Sequence, residues 1–80
     1  MLKIEIFYDG SVDNETPAKA DEMKEKYGDK ADIYLLDISE ETAPESYGTI
    51  NPPMVVLNGK QSYKIEGPDS LGSIVKHAIF

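Results

Sequence analysis

Within its first 37 residues the chain runs strand, helix, strand, and that order leaves few ways to fold. Residues 2–8, LKIEIFY, alternate Leu2, Ile4, Ile6 and Tyr8 with Lys3, Glu5 and Phe7, the two-residue period of a strand. Asp9-Gly10 opens a polar loop, GSVDNE. Thr16-Pro17 then reads as an N-cap followed by proline at the first helical position. Ala20, Met23 and Tyr27 form the buried stripe of that helix, and Gly28 stops it. Ala31 to Asp37, ADIYLLD, is a second strand, apolar enough to be covered on both faces. A βαβ unit this short implies parallel pairing through a right-handed crossover.

The second half completes a sheet. SEETAPESYG is acidic and broken by Pro44, and a short helix is expected near residues 40–47. Met54 to Leu57 form a third strand. Asn58-Gly59 tolerates the positive φ of a tight hairpin, so the chain returns as a fourth strand from Gln61 to Glu66. Gly67-Pro68 ends it, and Asp69 or Ser70 caps a last helix. There Leu71, Ile74, Val75, Ala78 and Ile79 make a core-facing stripe. Burying its four large side chains contributes about 6–12 kcal/mol before entropy. Gly72 within that helix costs about 1 kcal/mol relative to alanine, which a close approach of helix to sheet would explain.

Eighty residues make one domain, 1–80, with a thin core. There is no cysteine, so neither a disulfide nor a thiolate metal site can form. Fifteen acidic residues against eight basic ones give a formal charge of −7, and the lysines are scattered. Such a surface repels nucleic-acid backbones and anionic lipids. Met1 leads directly into the first strand, no run is long and apolar enough for a membrane span, and a cytoplasmic setting is expected.

Tyr47-Gly48, then Pro53, then Asn58-Gly59-Lys60, with Gly67 beyond, form an ordered signature. With the element order β-α-β-α-β-β-α, it resembles the thioredoxin and glutaredoxin superfamily, above all its short glutaredoxin-like members. The resemblance spans nearly the whole chain. It implies a four-stranded mixed sheet in the order 2-1-3-4, with the first and third helices on one face and the short second helix on the other. It also implies a cis peptide before Pro53; Asn51–Pro52 is the alternative, less well spaced from Asn58.

The family's CxxC motif lies between the first strand and first helix. Matching Thr16-Pro17 to the common Cys-Pro puts Asp13 and Thr16 on the two cysteine positions; matching Lys19-Ala20 instead puts Val12 and Glu15 there. Neither register supplies a thiol, and thiol–disulfide exchange needs a thiolate. A second departure is Pro52. In the family the residue before the cis-proline offers its N–H to substrate or glutathione, and proline has none. The unmatched acceptor costs about 1–3 kcal/mol, roughly a tenfold to hundredfold loss in affinity.

By the resemblance, Asp13 or Glu15 is expected in the place of the family's thiolate at the helix N-terminus, where a carboxylate stabilises the helix by about 0.3–1 kcal/mol; the alternative is that both are solvated loop residues. Asp9, Ser11, Asp13 and Glu15 do not complete a calcium loop, because an EF-hand starting at Asp9 needs Gly at position 14 and Glu at position 20, where Asn14 and Ala20 stand. His77 has no second imidazole or thiol to act with.

The reading is therefore a non-catalytic, redox-inactive domain that binds a protein or peptide, as monomer or weak dimer, without cofactor, metal, nucleic acid or membrane. By family position its groove consists of Asp13, Glu15, Thr16, Pro52, Pro53, Gly67 and Asp69. Two alternatives stand beside it: a glutathione-using enzyme acting through Tyr8 or Ser11, and a cysteine-free subunit of a larger redox complex.

Overall fold

Strand β1, Leu2–Tyr8, lies inside the sheet because both its faces are covered. Ile4 and Ile6 are fully buried on one side, Phe7 and Glu5 nearly so on the other. The computed structural model describes residues 1–80. Helix α1, Glu15–Tyr27, carries the chain to β2, Ala31–Asp37, which pairs parallel with β1 from Leu2↔Ala31 to Tyr8↔Asp37. Strand β3, Met54–Leu57, pairs antiparallel with β1, and β4, Gln61–Lys64, antiparallel with β3. Helix α2, Ser70–Ile79, ends the chain. The fold is α/β with a four-stranded mixed sheet in the expected order β2-β1-β3-β4.

Both helices pack on one face. Ala20 of α1 and Leu71 and Val75 of α2 meet Ile4, Ile6, Ile33, Val55 and Leu57 in a single core, and the expected stripes complete it: Met23, Tyr27, Ile74, Ala78 and Ile79 pack around its rim. Gly72 does not mark a close approach to the sheet. The nearest side-chain atom to a Cβ there would be Cε of Met23 on α1, at an ordinary 3.7 Å.

The other face is built differently from expectation. No α-helix forms near residues 40–47; a single 3₁₀ turn, Glu45–Tyr47, follows Pro44. Pro44 has no N–H and disfavours helical φ/ψ at Ala43, and the segment has no apolar stripe to reward a helix. Tyr47 covers part of that face. Its ring meets Phe7 edge-on at 6.1 Å and its hydroxyl donates to Glu5 at 2.5 Å. The first half of β2 is covered on one face only, with Ala31 and Ile33 buried and Asp32 and Tyr34 exposed, while Leu35, Leu36 and Asp37 are half-buried.

The hairpin turn is as expected, with positive φ at Asn58 (51°) and Gly59 (69°). Lys60 is an extra residue between that turn and the first ladder pair, Leu57↔Gln61. The Pro52–Pro53 peptide is cis, the bond the sequence pointed to, and Asn51–Pro52 is not. No helix is long and apolar enough to cross a membrane.

Candidate functional site

The start of α1 is held by Asp13, not by Thr16. Asp13 Oδ1 accepts hydrogen bonds from the Glu15 and Thr16 amides at 3.0 and 3.1 Å, and Oδ2 accepts from the Thr16 hydroxyl at 2.6 Å. Asn14 holds the N-cap position and makes no side-chain cap; Asp13, one residue earlier, does the capping, its carboxylate satisfying two amides that the helix leaves free. The expectation of Thr16 as cap and Pro17 at the first helical position is therefore shifted. Thr16 lies inside the first turn, its hydroxyl turned back to Asp13, and Pro17 follows within the same turn, where its missing N–H costs nothing. Partial burial works to raise the Asp13 carboxyl, but the bonds from Thr16 and Glu15 outweigh it and hold it below the usual carboxylate range.

This helix start faces Pro53 across a concavity of about 270 Å³. Of the residues expected there, Asp13, Glu15, Thr16, Pro53 and Gly67 line it together. They come from the β1–α1 loop, the first turn of α1, the entry to β3 and the β4–α2 connection, which the sheet order brings to one end. Of the two spacings considered for the former cysteine pair, Asp13 and Thr16 are in mutual contact, whereas Val12 is 81% exposed.

Pro52 and Asp69 are not in the lining. Asp69 precedes α2 and makes no side-chain cap; its carbonyl accepts from the Ser73 amide at 3.1 Å. The Pro52 carbonyl accepts from Lys64 Nζ at 2.8 Å, and the same ammonium reaches the Asn51 carbonyl at 3.0 Å. Pro52 thus has no N–H to give, and its acceptor already has a donor.

Lys19, Ile65, Pro68 and Leu71 also line the concavity and were not foreseen. Lys19 crosses it, donating to the Pro68 carbonyl at 2.7 Å. Its place was legible, since positions 15, 16 and 19 share one helix face. Lys64 had no such signal, because its contacts lie 12 and 13 residues away along the chain.

Tyr8 and Ser11, the hydroxyls of the alternative reading, are not in the lining of this concavity. The Ser11 hydroxyl donates to Asp9 Oδ1 at 2.5 Å. The Tyr8 hydroxyl is pushed above its ordinary pKa by burial and then by the negative charges of Asp37, Glu40, Asp21 and Glu41. Asp37 itself is held below the usual range by the Ser39 hydroxyl and by the Gly10 and Ser39 amides. A Cβ at position 10 would lie 2.0 Å from Asp37 Oδ2, so a side chain there requires the Asp37 carboxylate to move from its place on the Gly10 amide.

No known family model and no curated protein matches this chain.

Proposed function

We propose that this chain is a redox-inactive, thioredoxin-like domain that works in the cytoplasm as a binding or accessory module, with the groove beside Pro53 as its contact surface. One observation carries the reading. The side chains that face Pro53 are an Asp13–Thr16 hydrogen-bonded pair, Glu15 and Lys19, an arrangement able to bind charge and hydrogen-bonding groups but holding no thiol for disulfide exchange. The fold and the resemblance of the Tyr47–Lys60 segment support the family reading by analogy.

Recognition in this groove rests on side chains. An extended segment seated as an added strand would find no donor at Pro52, and its own N–H would compete with Lys64 for the Pro52 carbonyl. Asp13, Glu15 and Lys19 offer charge of both signs at the rim, suited to a polar peptide or loop.

The test is capture of a stoichiometric partner from host lysate by the parent protein and by Thr16→Arg, which fills the groove. Loss of the partner with Thr16→Arg, and its retention with a change on the far side such as Lys26→Glu, is the expected result. Equal capture by Thr16→Arg refutes the groove. Turnover of insulin disulfides above the buffer rate refutes redox inactivity. Chemical-shift changes at Thr16, Lys19 and Gly67 on titration with glutathione would transfer the groove to the enzyme reading.

A further inference from the structure

The two faces of the sheet are covered unequally. Both helices lie on one face, over a core that includes Ile4, Ile6, Val55 and Leu57. Phe7 and Val56 stand outside that core, on the opposite face, and are 1% and 3% exposed. Glu5, opposite Val56 in the ladder, is buried beside them. The connection from β2 to β3 lies over this face at Tyr47. No residue of that connection from 39 to 53 is itself buried.

Both ends of the connection are pinned. At its start the Ile38 amide bonds to the Tyr8 carbonyl at 2.9 Å, and the Glu40 and Glu41 amides bond to the Asp37 carbonyl. At its end Lys64 Nζ holds the Asn51 and Pro52 carbonyls, and the Ile65 amide holds the Pro53 carbonyl. Between residues 42 and 50 the main chain bonds only to itself, where the Tyr47 and Gly48 amides donate to the Pro44 and Glu45 carbonyls in the 3₁₀ turn. The one side-chain hydrogen bond from this stretch to the sheet is that of Tyr47 to Glu5, beside its edge-on contact with Phe7.

We infer that residues 42–50 form a strap that lifts from the sheet as a unit while the rest of the fold stays closed, baring Phe7, Val56 and the Glu5 carboxylate. Local opening costs least where few apolar side chains are buried and few hydrogen bonds cross to the rest of the molecule, and this stretch has both properties. Gly48 sets the bend of the closed strap. Its φ of 73° and ψ of −153° belong to a backbone region that only glycine adopts freely, and nothing lies within 4 Å of a Cβ built there. A side chain at position 48 therefore strains the closed strap without striking a neighbour. The pin at Asn51 and Pro52 separates the strap from Pro53, so the groove beside Pro53 keeps its wall while the strap is lifted.

Because the chain has no cysteine, a single introduced thiol reports the opening. Val56→Cys places it under the strap, and Val55→Cys places it in the core beneath the helices. Each variant is alkylated with iodoacetamide over a range of low urea concentrations and followed by mass, alone and combined with Gly48→Ala. Val56→Cys is expected to react at least about tenfold faster than Val55→Cys, at a rate flat in low urea, because lifting the strap exposes little surface. Val55→Cys should react only through global unfolding, at a rate that climbs with urea. Gly48→Ala is expected to speed the reaction of Val56→Cys by about tenfold to hundredfold. Chymotrypsin reads the same opening in the unaltered chain. Tyr47 must leave Phe7 and Glu5 before the Tyr47–Gly48 bond can be cut, and cutting there should likewise be flat in low urea. Equal rates with equal urea dependence for the two thiol variants overturn the strap. So does a Val56→Cys rate that Gly48→Ala leaves unchanged, or cutting at Tyr47–Gly48 only in step with global unfolding.

Discussion

Replacing Asp13 with alanine removes one carboxylate that serves three donors. Two are the Glu15 and Thr16 amides; their loss is the loss of an N-cap, about 0.5–2 kcal/mol. The third is the hydroxyl of Thr16, a residue only 7% exposed, and a buried donor left without an acceptor costs about 1–3 kcal/mol. These terms overlap, because water enters when the side chain is cut, so the net expectation is about 2 kcal/mol. In a domain of this size that lowers Tm by about 8–16 °C. Asp13→Asn keeps an amide oxygen for the two backbone donors but cannot accept from the hydroxyl, and should cost about 1 kcal/mol or less. Glu15→Gln touches no such bond and should stay within about 0.5 kcal/mol of the parent. Urea denaturation read by circular dichroism gives all three values, and Asp13→Ala combined with Thr16→Val measures the coupling directly. An Asp13→Ala protein within about 0.5 kcal/mol of the parent, or no worse than Glu15→Gln, refutes the assignment of Asp13 as the cap of α1.

Three further outcomes are expected. Gly72→Ala should stabilise α2 by about 0.5–1 kcal/mol, read as a raised urea midpoint, because the new methyl meets only Met23 at ordinary contact distance. Tyr47→Phe keeps the ring on Phe7 but leaves the Glu5 carboxylate, with a side chain 8% exposed, only the Lys3 ammonium at 3.8 Å; a loss of about 1–3 kcal/mol is expected in the same assay. Asp13 and Asp37 are both held below the ordinary carboxylate range, so their contribution is complete above the unfolded-state value near pH 4 and is lost as pH falls through the folded values. Melting temperatures measured from pH 6 down to pH 2 should therefore decline below about pH 4, less steeply in Asp37→Asn than in the parent.

Much of the architecture was open to reading from local pattern. The alternation in LKIEIFY, the apolar run MVVL and the Asn58-Gly59 turn located three strands and a hairpin, and the stripes of α1 and α2 named the helical half of the core. The candidate site was legible in part: Asp13, Glu15, Thr16, Pro53 and Gly67 do converge. Pro52 and Asp69 do not, since adjacency along the chain says nothing about which way a main chain turns. The short helix expected near residues 40–47 forms only as the 3₁₀ turn Glu45–Tyr47, because Pro44 and the lack of an apolar stripe leave nothing to extend it.

Sequence by itself determined the order of elements, the parallel βαβ start and the absence of any thiol, because periodicity, turn chemistry and composition are properties of neighbouring residues. Tertiary structure alone decided the pairings across the chain. Tyr47 reaches Glu5 over 42 residues, Lys19 reaches the Pro68 carbonyl over 49, and Lys64 takes the Pro52 carbonyl. Each joins side chains or carbonyls that no local period relates, and each exists only because the order β2-β1-β3-β4 stacks distant segments at the same end or face of one sheet. Glu5 shows the difference most plainly: in the alternation of β1 it stands at a polar position, and the fold buries it under a tyrosine supplied from the far half of the chain.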